Sequence, residues 1–408
     1  MHAIVFFTNI GFYHAARLRA ACNEFNSRGW KLTAVQLTAD TLEHPWGRID
    51  SEIDFPLITL IPETNQKKSK VSIPHIPPNV LENCLVSLKP DIVFIPGWFE
   101  IYYISVLYWC LDNKVPTIVM SDSTFADEPR FLLKEFIKKR IVCKFTAFLV
   151  GGKPHLEYLE KLGANKDRIF VGYDVVDNNF FSKGAELSRL NARDFHIKYD
   201  LPEKYFLAAC RFIPKKNLFR LLEAFKIYRQ IKDKDIPNWK LIVIGDGELR
   251  PQLEAQILKL NIKNDVFLSG FKQYQALAIY YGLAGAFIHA STSEQWGLVV
   301  NEAMASGLPV LVSKNCGCAE DLVKEGRNGH TFNPFDINEI ANLLLKISHN
   351  DSKRELMGKE SQKIINKWSP EYFAENFVKA ATKALNVPHP KFIFFDKVLL
   401  HALINRWK

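Results

Sequence analysis

The arrangement of apolar runs constrains the fold of this chain more than any other feature of its sequence. Short runs rich in β-branched and aromatic residues alternate with longer stretches of helical periodicity, which is typical of parallel sheets built from strand–helix–strand units. The predicted strands begin at Ala3, Lys31, Leu57, Ile92, Pro116, Phe145, Ile169, Phe206, Lys240, Val266, Ala286 and Pro309. The 408 residues suffice for two domains of about 200 residues each. We therefore predict an α/β protein with two parallel sheets.

Composition narrows the classes of partner. The net charge of +9 favours anions such as a nucleotide diphosphate, an acidic acceptor or an acidic membrane. The dispersed lysines form no stripe with aromatic residues, so we expect no nucleic acid partner. Scattered cysteines predict reduced thiols in a cytoplasmic protein, and Cys316 and Cys318 have no second pair at zinc-ligand spacing. The start, MHAIVFFTNIGFYH, is predicted as a strand rather than a signal peptide, and no run approaches the roughly 20 apolar residues of a membrane span.

Two glutamates stand eight positions apart in the segment SEQWGLVVNEAMASGLPVLVS, residues 293–313. Glu294 follows an apolar strand-like run, and Glu302 lies among apolar side chains, where an ionised carboxylate is costly to desolvate unless it is hydrogen-bonded. A sugar or ribose diol could supply the two donors. Backbone amides that suit a phosphate are expected at the helix start, at Trp296, Gly297, Leu298 and Val299. Either glutamate alone could merely favour the positive end of a helix, but the pair predicts a binding site.

This segment resembles the retaining glycosyltransferases of family four. Their pattern is a glutamate, seven residues and a second glutamate, with an aromatic–glycine pair after the first and Ala-Met-Ala-x-Gly-x-Pro-Val after the second. Every element is present here, ending at Val310. The resemblance implies the GT-B fold, in which two Rossmann-like domains with parallel sheets face a central cleft. It also implies that Glu294 contacts the transferred sugar and Glu302 the ribose hydroxyls of a nucleotide-sugar donor.

The strand pattern and the resemblance together give a domain plan. Residues 1–175 are predicted to form a Rossmann-like acceptor domain. Residues 176–375 are predicted to form a Rossmann-like domain that binds the nucleotide-sugar donor. Residues 376–408 are predicted to form a crossing helix and an amphipathic tail that packs on or near the N-terminal domain.

Further residues of the second half are predicted to line the donor site. Arg211 and Lys216 follow the first strand of that half, and two cations at the carboxyl end of a strand suit a diphosphate leaving group. The resemblance implies the same role, and a solvated basic loop is the alternative. Gly245 closes the next strand and is predicted to line the cleft. The resemblance implies that Gly270 and Phe271 lie beside the nucleobase, which is held through backbone contacts.

Three residues of the first half are predicted to reach the same cleft. Gly11 lies in the loop after the first strand, where relatives carry a fuller glycine-rich loop, and His14 follows at the start of a helix. Asp122 follows the fifth strand, where many relatives place a histidine that contacts the sugar. A histidine that only packs and an aspartate that only caps a helix are the alternatives. This departure leaves the identity of the sugar open.

We expect no metal and no other cofactor. The only Asp-x-Asp sequence, a pattern that can hold a divalent ion, is Asp233-Lys234-Asp235. Lysines surround it and no strand precedes it, so a solvated loop is the prediction. Arg211 and Lys216 would supply the positive charge instead.

These features predict a retaining hexosyltransferase. The expected donor is a UDP- or GDP-sugar, and the expected acceptor is a glycan, a glycolipid or a small molecule with a free hydroxyl. The alternatives are a nucleotide-sugar epimerase or phosphorylase of the same fold and a non-catalytic nucleotide-sugar-binding subunit.

Two basic, apolar segments suggest peripheral contact with the cytoplasmic face of an anionic membrane. In the tail, helical spacing puts apolar side chains opposite a basic side, as in an interfacial anchor. The apolar set is Phe392, Leu399, Leu400, Leu403 and Trp407, and the basic side holds Lys397, His401, Asn405 and Lys408. The alternative is that the tail packs on the N-terminal domain. The second candidate is the segment from Arg130 to Phe145.

Overall fold

The computed structural model describes residues 1–39, 49, 53–61, 76–231 and 239–405. The Asp-x-Asp sequence at residues 233–235 and the tail residues Trp407 and Lys408 lie outside the described residues. The chain divides into unit 1, which comprises Met1–Val175 and Pro370–Lys408, and unit 2, which comprises Val176–Ser369. Each unit is built on its own sheet.

Unit 1 contains a parallel sheet whose strands are buried on both faces over most of their length, as helix-covered parallel strands require. The strands are β1 (His2–Phe7), β2 (Lys31–Thr38), β3 (Leu57–Ile61), β4 (Ile92–Pro96), β5 (Thr117–Ser121), β6 (Ala147–Val150) and β7 (Ile169–Val171). In the described part of the unit their order is β3-β2-β1-β4-β5-β6-β7. The order reverses between β1 and β4, and ligands commonly bind at the carboxyl ends of such strands.

The helices of unit 1 come from both ends of the chain. They are α1 (Phe12–Asn26), α2 (Pro78–Leu88), α3 (Ile101–Asp112), α4 (Leu132–Val142), α5 (Lys153–Lys161), α15 (Pro370–Leu385) and α16 (Phe394–Asn405). On α15, the Phe377 ring stacks on Phe94 of β4 with centroids 3.7 Å apart and contacts Phe25 of α1 at 5.6 Å. The predicted domain limit at residue 375 falls inside α15, which belongs to unit 1 from its first residue, Pro370.

Unit 2 contains a second parallel sheet. Its strands are β8 (Tyr205–Ala209), β9 (Lys240–Ile244), β10 (Val266–Gly270), β11 (Ala286–His289), β12 (Val310–Ser313) and β13 (Gly329–Phe332). Their order in the described residues is β10-β9-β8-β11-β12-β13. The sequence analysis missed β13, because its GHTF sequence is short and begins with glycine. A Cβ on Gly329 would lie 1.9 Å from the Val310 carbonyl oxygen, so close approach to β12 requires that glycine.

The helices of unit 2 complete a second α/β layer structure. They are α6 (Asn178–Leu190), α7 (Ala192–Lys198), α8 (Leu218–Gln230), α9 (Arg250–Lys259), α10 (Tyr274–Leu283), α11 (Leu298–Ala305), α12 (Ala319–Leu322), α13 (Ile337–Ser348) and α14 (Asp351–Ile365). Leu221 and Phe225 of α8 and Leu344 of α13 are buried in one core with the strand residues Leu241 and Ile288. Both sheets have the strand order of Rossmann-like domains, so the predicted fold class is confirmed.

The C-terminal helix α16 packs on unit 1. Leu400 is buried, and Leu403 and Ile404 pack against the core that includes α3. Much of the apolar side of the tail that was predicted to contact a membrane therefore packs on unit 1, which was the alternative prediction. Among the described residues, no helix has both the length and the hydropathy needed to cross a bilayer.

Candidate functional site

Two loops of unit 2 meet where the strand order reverses. β8 and β11 are hydrogen-bonded neighbours in the sheet although they are separated by two strands in sequence. Because they are parallel, their carboxyl ends share one edge. The loop after β8 carries Arg211 and Lys216, and the loop after β11 carries Glu294. The topology thus brings together side chains that are far apart in the sequence.

Backbone and amide hydrogen bonds hold these two loops together. The Thr292 amide donates to the Lys215 carbonyl at 2.8 Å. The buried Asn217 side chain donates to the carbonyls of Ala290 at 3.0 Å and Pro334 at 2.7 Å. Since these bonds flank Lys216 on one loop and precede Glu294 on the other, they fix the relative position of the two side chains.

The Glu294 carboxylate accepts from three side chains. Lys216 Nζ donates to Glu294 Oε2. His289 Nε2 lies 3.1 Å and Ser291 Oγ 3.3 Å from the same oxygen. Burial alone would raise the pKa of Glu294, but the hydrogen bond from His289 and the charge of Lys216 outweigh it and hold that pKa well below its usual range. Glu294 is therefore an anion at neutral pH.

His289 is a site residue that the sequence analysis missed. Burial lowers its pKa, an effect that Lys216 reinforces and Glu294 opposes, so the imidazole is neutral near pH 7. A carboxylate can only accept, so Nε2 carries the proton that His289 donates to Glu294. The signal in the sequence was a histidine at the end of an apolar strand, five residues before Glu294.

The start of α11 lies close to the Glu294 side chain. Gly297 has φ +103°, a left-handed conformation that favours glycine, and a Cβ there would lie 3.5 Å from Glu294 Cγ. Leu298 and Val299 form the first turn of α11, whose amides have no carbonyl partner within the helix. The Trp296 side chain is buried, with its indole N–H donating to Asn301 at 2.9 Å. Trp296 thus contributes packing here, and only the backbone of this turn is available to an anion.

Glu302 is placed differently from Glu294. It lies on α11 with 1% of its surface exposed. The hydroxyl of buried Tyr281, on α10, donates to Glu302 Oε2 at 2.6 Å. A neutral donor thus contacts this carboxylate directly.

The other residues predicted to line the donor site lie on neighbouring loops at the same edge of the unit 2 sheet. Arg211 is exposed. Gly245 has φ +123°, and a Cβ there would lie 1.9 Å from the Cys210 carbonyl oxygen. The Gly245 amide donates to the Gly270 carbonyl at 2.9 Å, and Phe271 follows with 36% of its surface exposed. The glycine at 245 therefore allows the loops after β8 and β9 to approach closely.

Unit 1 carries its predicted residues at the corresponding edge of its own sheet. The Gly11 amide donates to His14 Nδ1 at 3.2 Å, which leaves the hydrogen of the neutral ring on Nε2. The His14 ring also contacts Phe7 at 4.5 Å between centroids. Asp122 follows β5 and lies close enough to Asp174 for its charge to raise the pKa of that residue. His14 therefore both packs and caps α1.

No described part of the chain gathers three or more His, Cys, Asp or Glu side chains in an arrangement that could hold a metal ion. Lys216 and Arg211 are two cations at the unit 2 edge that offer positive charge to an anionic ligand. The arrangement therefore combines an anion, a paired cation, an exposed cation and the start of α11 within a single loop cluster.

Comparison with known proteins agrees with this geometry. Residues 192–364 match the family described as glycosyl transferases group 1. Sulfoquinovosyl transferase of Arabidopsis thaliana is 30% identical over 185 residues, which are 44% of this chain and 34% of that protein. Alpha-monoglucosyldiacylglycerol synthase of Acholeplasma laidlawii is 28% identical over 170 residues, 42% of this chain and 41% of that protein. The chain thus spans less than half the length of these relatives.

A solved structure is similar over nearly the whole chain. Anabaena HepE in complex with UDP-glucose matches with a TM-score of 0.70 at 15% identity, covering 94% of this chain and 99% of that one. At this identity the likeness concerns the fold. Most of unit 2 therefore matches the group 1 glycosyl transferases, and the family resemblance drawn from the glutamate pair is confirmed.

Proposed function

We propose that this protein is a retaining glycosyltransferase that moves a hexose-type sugar from a nucleotide diphosphate sugar to an acceptor hydroxyl. The observation that carries the proposal is the cluster of Glu294, Lys216 and His289 where the unit 2 strand order reverses. A buried anion beside a cation suits a ligand that presents hydroxyl donors next to a diphosphate. The UDP-glucose bound to HepE supports UDP as the nucleotide.

Donor binding follows from the charges at this edge. Lys216 and exposed Arg211 bind the diphosphate oxygens, and the first-turn amides of α11 add uncharged donors. Glu294 accepts hydrogen bonds from sugar hydroxyls, and Glu302 accepts from the ribose. In the absence of donor, Lys216 neutralises Glu294, so the pair stays compact until a diphosphate competes for the cation.

The chemistry needs no protein nucleophile. The bond between the anomeric carbon and the diphosphate oxygen breaks, and the acceptor oxygen bonds to that carbon on the same face. The acceptor proton passes to the leaving diphosphate oxygen. Lys216 and Arg211 stabilise the negative charge that develops on the diphosphate, which is the role a metal ion has in other transferases. We therefore propose that transfer is metal-independent.

His289 and Ser291 act as positioning residues for Glu294. Both hold the same oxygen, Oε2, at 3.1 and 3.3 Å, which leaves Oε1 to face a ligand. Because the ring is buried and neutral, it fixes the carboxylate without adding a second positive charge.

Unit 1 is proposed to bind the acceptor. The name of the Acholeplasma relative, alpha-monoglucosyldiacylglycerol synthase, supports a glycolipid or lipid-linked glycan as acceptor and a peripheral location at the cytoplasmic face of a membrane. Roles for Gly11, His14 and Asp122 in contacts with the donor sugar or the acceptor remain predictions.

The test begins with a panel of UDP- and GDP-sugars in thermal shift assays, since a ligand that binds the native state raises the apparent stability. The stabilising donor is then incubated with lipid and glycan acceptors, with and without EDTA. We expect transfer that survives EDTA, and NMR of the early product should show the anomeric configuration of the donor.

Other outcomes identify other functions. Conversion of the donor to another sugar without acceptor would indicate an epimerase. Donor binding with no turnover on any acceptor would favour a non-catalytic subunit. Activity lost with EDTA and restored by manganese or magnesium would contradict the metal-free mechanism, and an inverted product would contradict retention.

A further inference from the structure

Helix α4 of unit 1 directs two of its charged side chains, Glu135 and Lys138, into a network with the rest of the unit. Lys138, with 4% of its side chain exposed, donates to Glu128 at 2.8 Å and to the Tyr158 hydroxyl at 3.1 Å. Arg130, just before the helix, donates to Tyr158 at 2.7 Å and to Glu135 at 3.1 Å. This network satisfies the buried charges and fixes the orientation of α4 on the unit.

The opposite side of the same segment exposes large apolar side chains. The exposed fractions are 65% for Phe131, 94% for Leu132, 72% for Leu133 and 54% for Phe136. A helix on a water-soluble surface normally buries its apolar side and exposes its charges. α4 buries Ile141 and Val142 as expected, but the segment also exposes these four large apolar side chains, and a contiguous exposed apolar patch indicates an interaction site.

The exposed apolar surface continues from α4 onto α16. Leu132, Phe136 and Arg140 follow one another at four-residue spacing, so they share one side of α4. Arg140 forms an ion pair with buried Asp396 of α16, and its guanidinium lies over the Phe395 ring, 5.3 Å from the centroid. The start of α16 then exposes Ile393 (50%), Phe394 (82%), Phe395 (52%) and Val398 (51%). We call these eight apolar residues of the two segments the α4–α16 surface.

Basic side chains are interleaved with this surface. The segment from Arg130 to Phe145 has six basic residues and one acidic residue, and that acid, Glu135, is used in the inner network. Lys139 is exposed, and Lys134 lies over the exposed Phe99 ring, 5.9 Å from the centroid. Protruding apolar side chains among charges of one sign match the interface of an anionic bilayer, where acyl chains receive the former and lipid headgroups the latter.

We propose that the α4–α16 surface docks unit 1 on an anionic lipid bilayer. Leu132, Leu133 and Phe394, the most exposed of the eight, enter the interface, and exposed Lys139 contacts lipid phosphates. Lys134 and Arg140, which are paired with Glu128 and Asp396, add positive charge beside it. This docking goes beyond the proposed transfer reaction, because it requires neither donor nor turnover. It also replaces the tail face predicted from the sequence, since Leu400 is used to hold α16 on unit 1.

The experiment compares co-sedimentation of the full chain with phosphatidylcholine vesicles and with vesicles that contain equal parts of phosphatidylcholine and phosphatidylglycerol. We expect binding to the anionic vesicles only, weakened by salt. The variant Leu132→Ser/Leu133→Ser/Phe394→Ser should bind at least about tenfold more weakly, because each buried large apolar side chain contributes substantially to partition. Lys139→Glu should weaken binding by a smaller factor.

A matched control comes from unit 2, where Leu190 and Ile197 are 78% and 74% exposed. Leu190→Ser/Ile197→Ser should bind like the unchanged protein. Thermal melts of all variants verify folding, and nucleotide binding by the triple variant verifies that unit 2 is intact. Unchanged vesicle binding by the triple variant, equal loss in the control, or no binding to anionic vesicles would each overturn the proposal. Light scattering measures the oligomeric state. If the unchanged protein is a dimer that does not bind lipid and the triple variant is a monomer, the surface serves self-association instead.

Discussion

Glu294 in unit 2 is a largely buried carboxylate, and Asp174 in unit 1 is a buried one. Both follow a strand and lie beside a cation, yet their pKa values move in opposite directions. Glu294 stays ionised far below its usual range. Burial raises the pKa of Asp174 to about 7, an effect that Arg17 opposes and Asp122 reinforces. The two carboxylates, each just after a strand of its own sheet, therefore differ in charge below about pH 7.

Contact geometry explains the difference. Glu294 accepts directly from Lys216 and His289. In unit 1 the Arg17 guanidinium lies 3.7 Å from Asp174 and directs its Nε–H to the Val175 carbonyl at 3.1 Å. A cation stabilises a buried carboxylate fully only when it also donates a well-placed hydrogen bond. The comparison assigns the permanent anion to unit 2, at the proposed donor site.

The largest expected effect is on turnover when Glu294 loses its charge. Glu294→Gln keeps the size of the side chain, and we expect kcat to fall about 100-fold or more, as for other groups that stabilise a transition state. Affinity for free UDP should not fall, because Lys216 no longer has to leave its ion pair with Glu294. The matched control is Glu325→Gln, which removes the partner of His330 in a second Glu–His pair of unit 2. A Glu294→Gln enzyme with full turnover would contradict the assignment.

The next effect concerns the diphosphate. Lys216→Met should weaken UDP binding about tenfold or more, because a charge-assisted hydrogen bond contributes about 1.5–3 kcal/mol and 1.4 kcal/mol corresponds to a factor of ten. Lys215→Met, at the neighbouring position, is the control. Calorimetric titration with UDP and with uridine separates the diphosphate from the nucleoside. The Lys216→Met substitution should weaken the binding of UDP and leave the binding of uridine unchanged. Equal loss in both variants would indicate general charge attraction rather than a site.

A smaller effect separates the two glutamates of the motif. Glu302→Gln should lower UDP affinity about tenfold by weakening hydrogen bonds to the ribose. The unchanged protein should prefer UDP to its 2′-deoxy analogue, and the variant should lose that preference. Tyr281→Phe, which removes the donor to Glu302 at 2.6 Å, should reduce the preference in part. If Glu302→Gln folds and still discriminates, Glu302 is structural and the ribose is bound elsewhere.

The smallest effects test the pKa contrast itself. Between about pH 4 and 7, folded unit 1 keeps a proton on Asp174 that the unfolded chain releases, so this residue makes the unit less stable as pH rises through that window. His289, whose pKa is lowered from 6.5, acts oppositely: the unfolded chain binds its proton first, so unit 2 loses stability as pH falls below 6.5.

Hydrogen exchange at pH 5 and pH 7.5 measures the stability of each unit separately. Asp174→Asn should reduce the pH dependence of amide protection in β7, and His289→Asn should reduce that in β11. Each change should be equivalent to a few degrees in Tm, since about 1 kcal/mol corresponds to about 2–4 °C for domains of this size. Changes of the same sign in both units would show that the two carboxyl environments do not differ as described.

The sequence analysis recovered most of the fold because parallel strands buried on both faces are continuous apolar runs that stand out from helical periodicity. Strands from β1 to β12 begin within about two residues of the predicted starts, within the usual uncertainty of strand ends. β13 was missed because its four residues include Gly329 and His330, and its pairing with β12 depends on a close approach that only the folded sheet reveals.

What the sequence by itself determined was the α/β class, the two sheets and the family, because periodicity and the spacing of Glu294 and Glu302 are local properties. Only the tertiary structure decided what each side chain faces. It pairs Lys216 with Glu294 across 78 positions, adds His289, buries Trp296 and gives Glu302 the Tyr281 hydroxyl. It also buries Lys138 of α4 and leaves the leucines of that helix exposed. Such choices depend on which surfaces of distant segments meet, and spacing along one segment does not encode them.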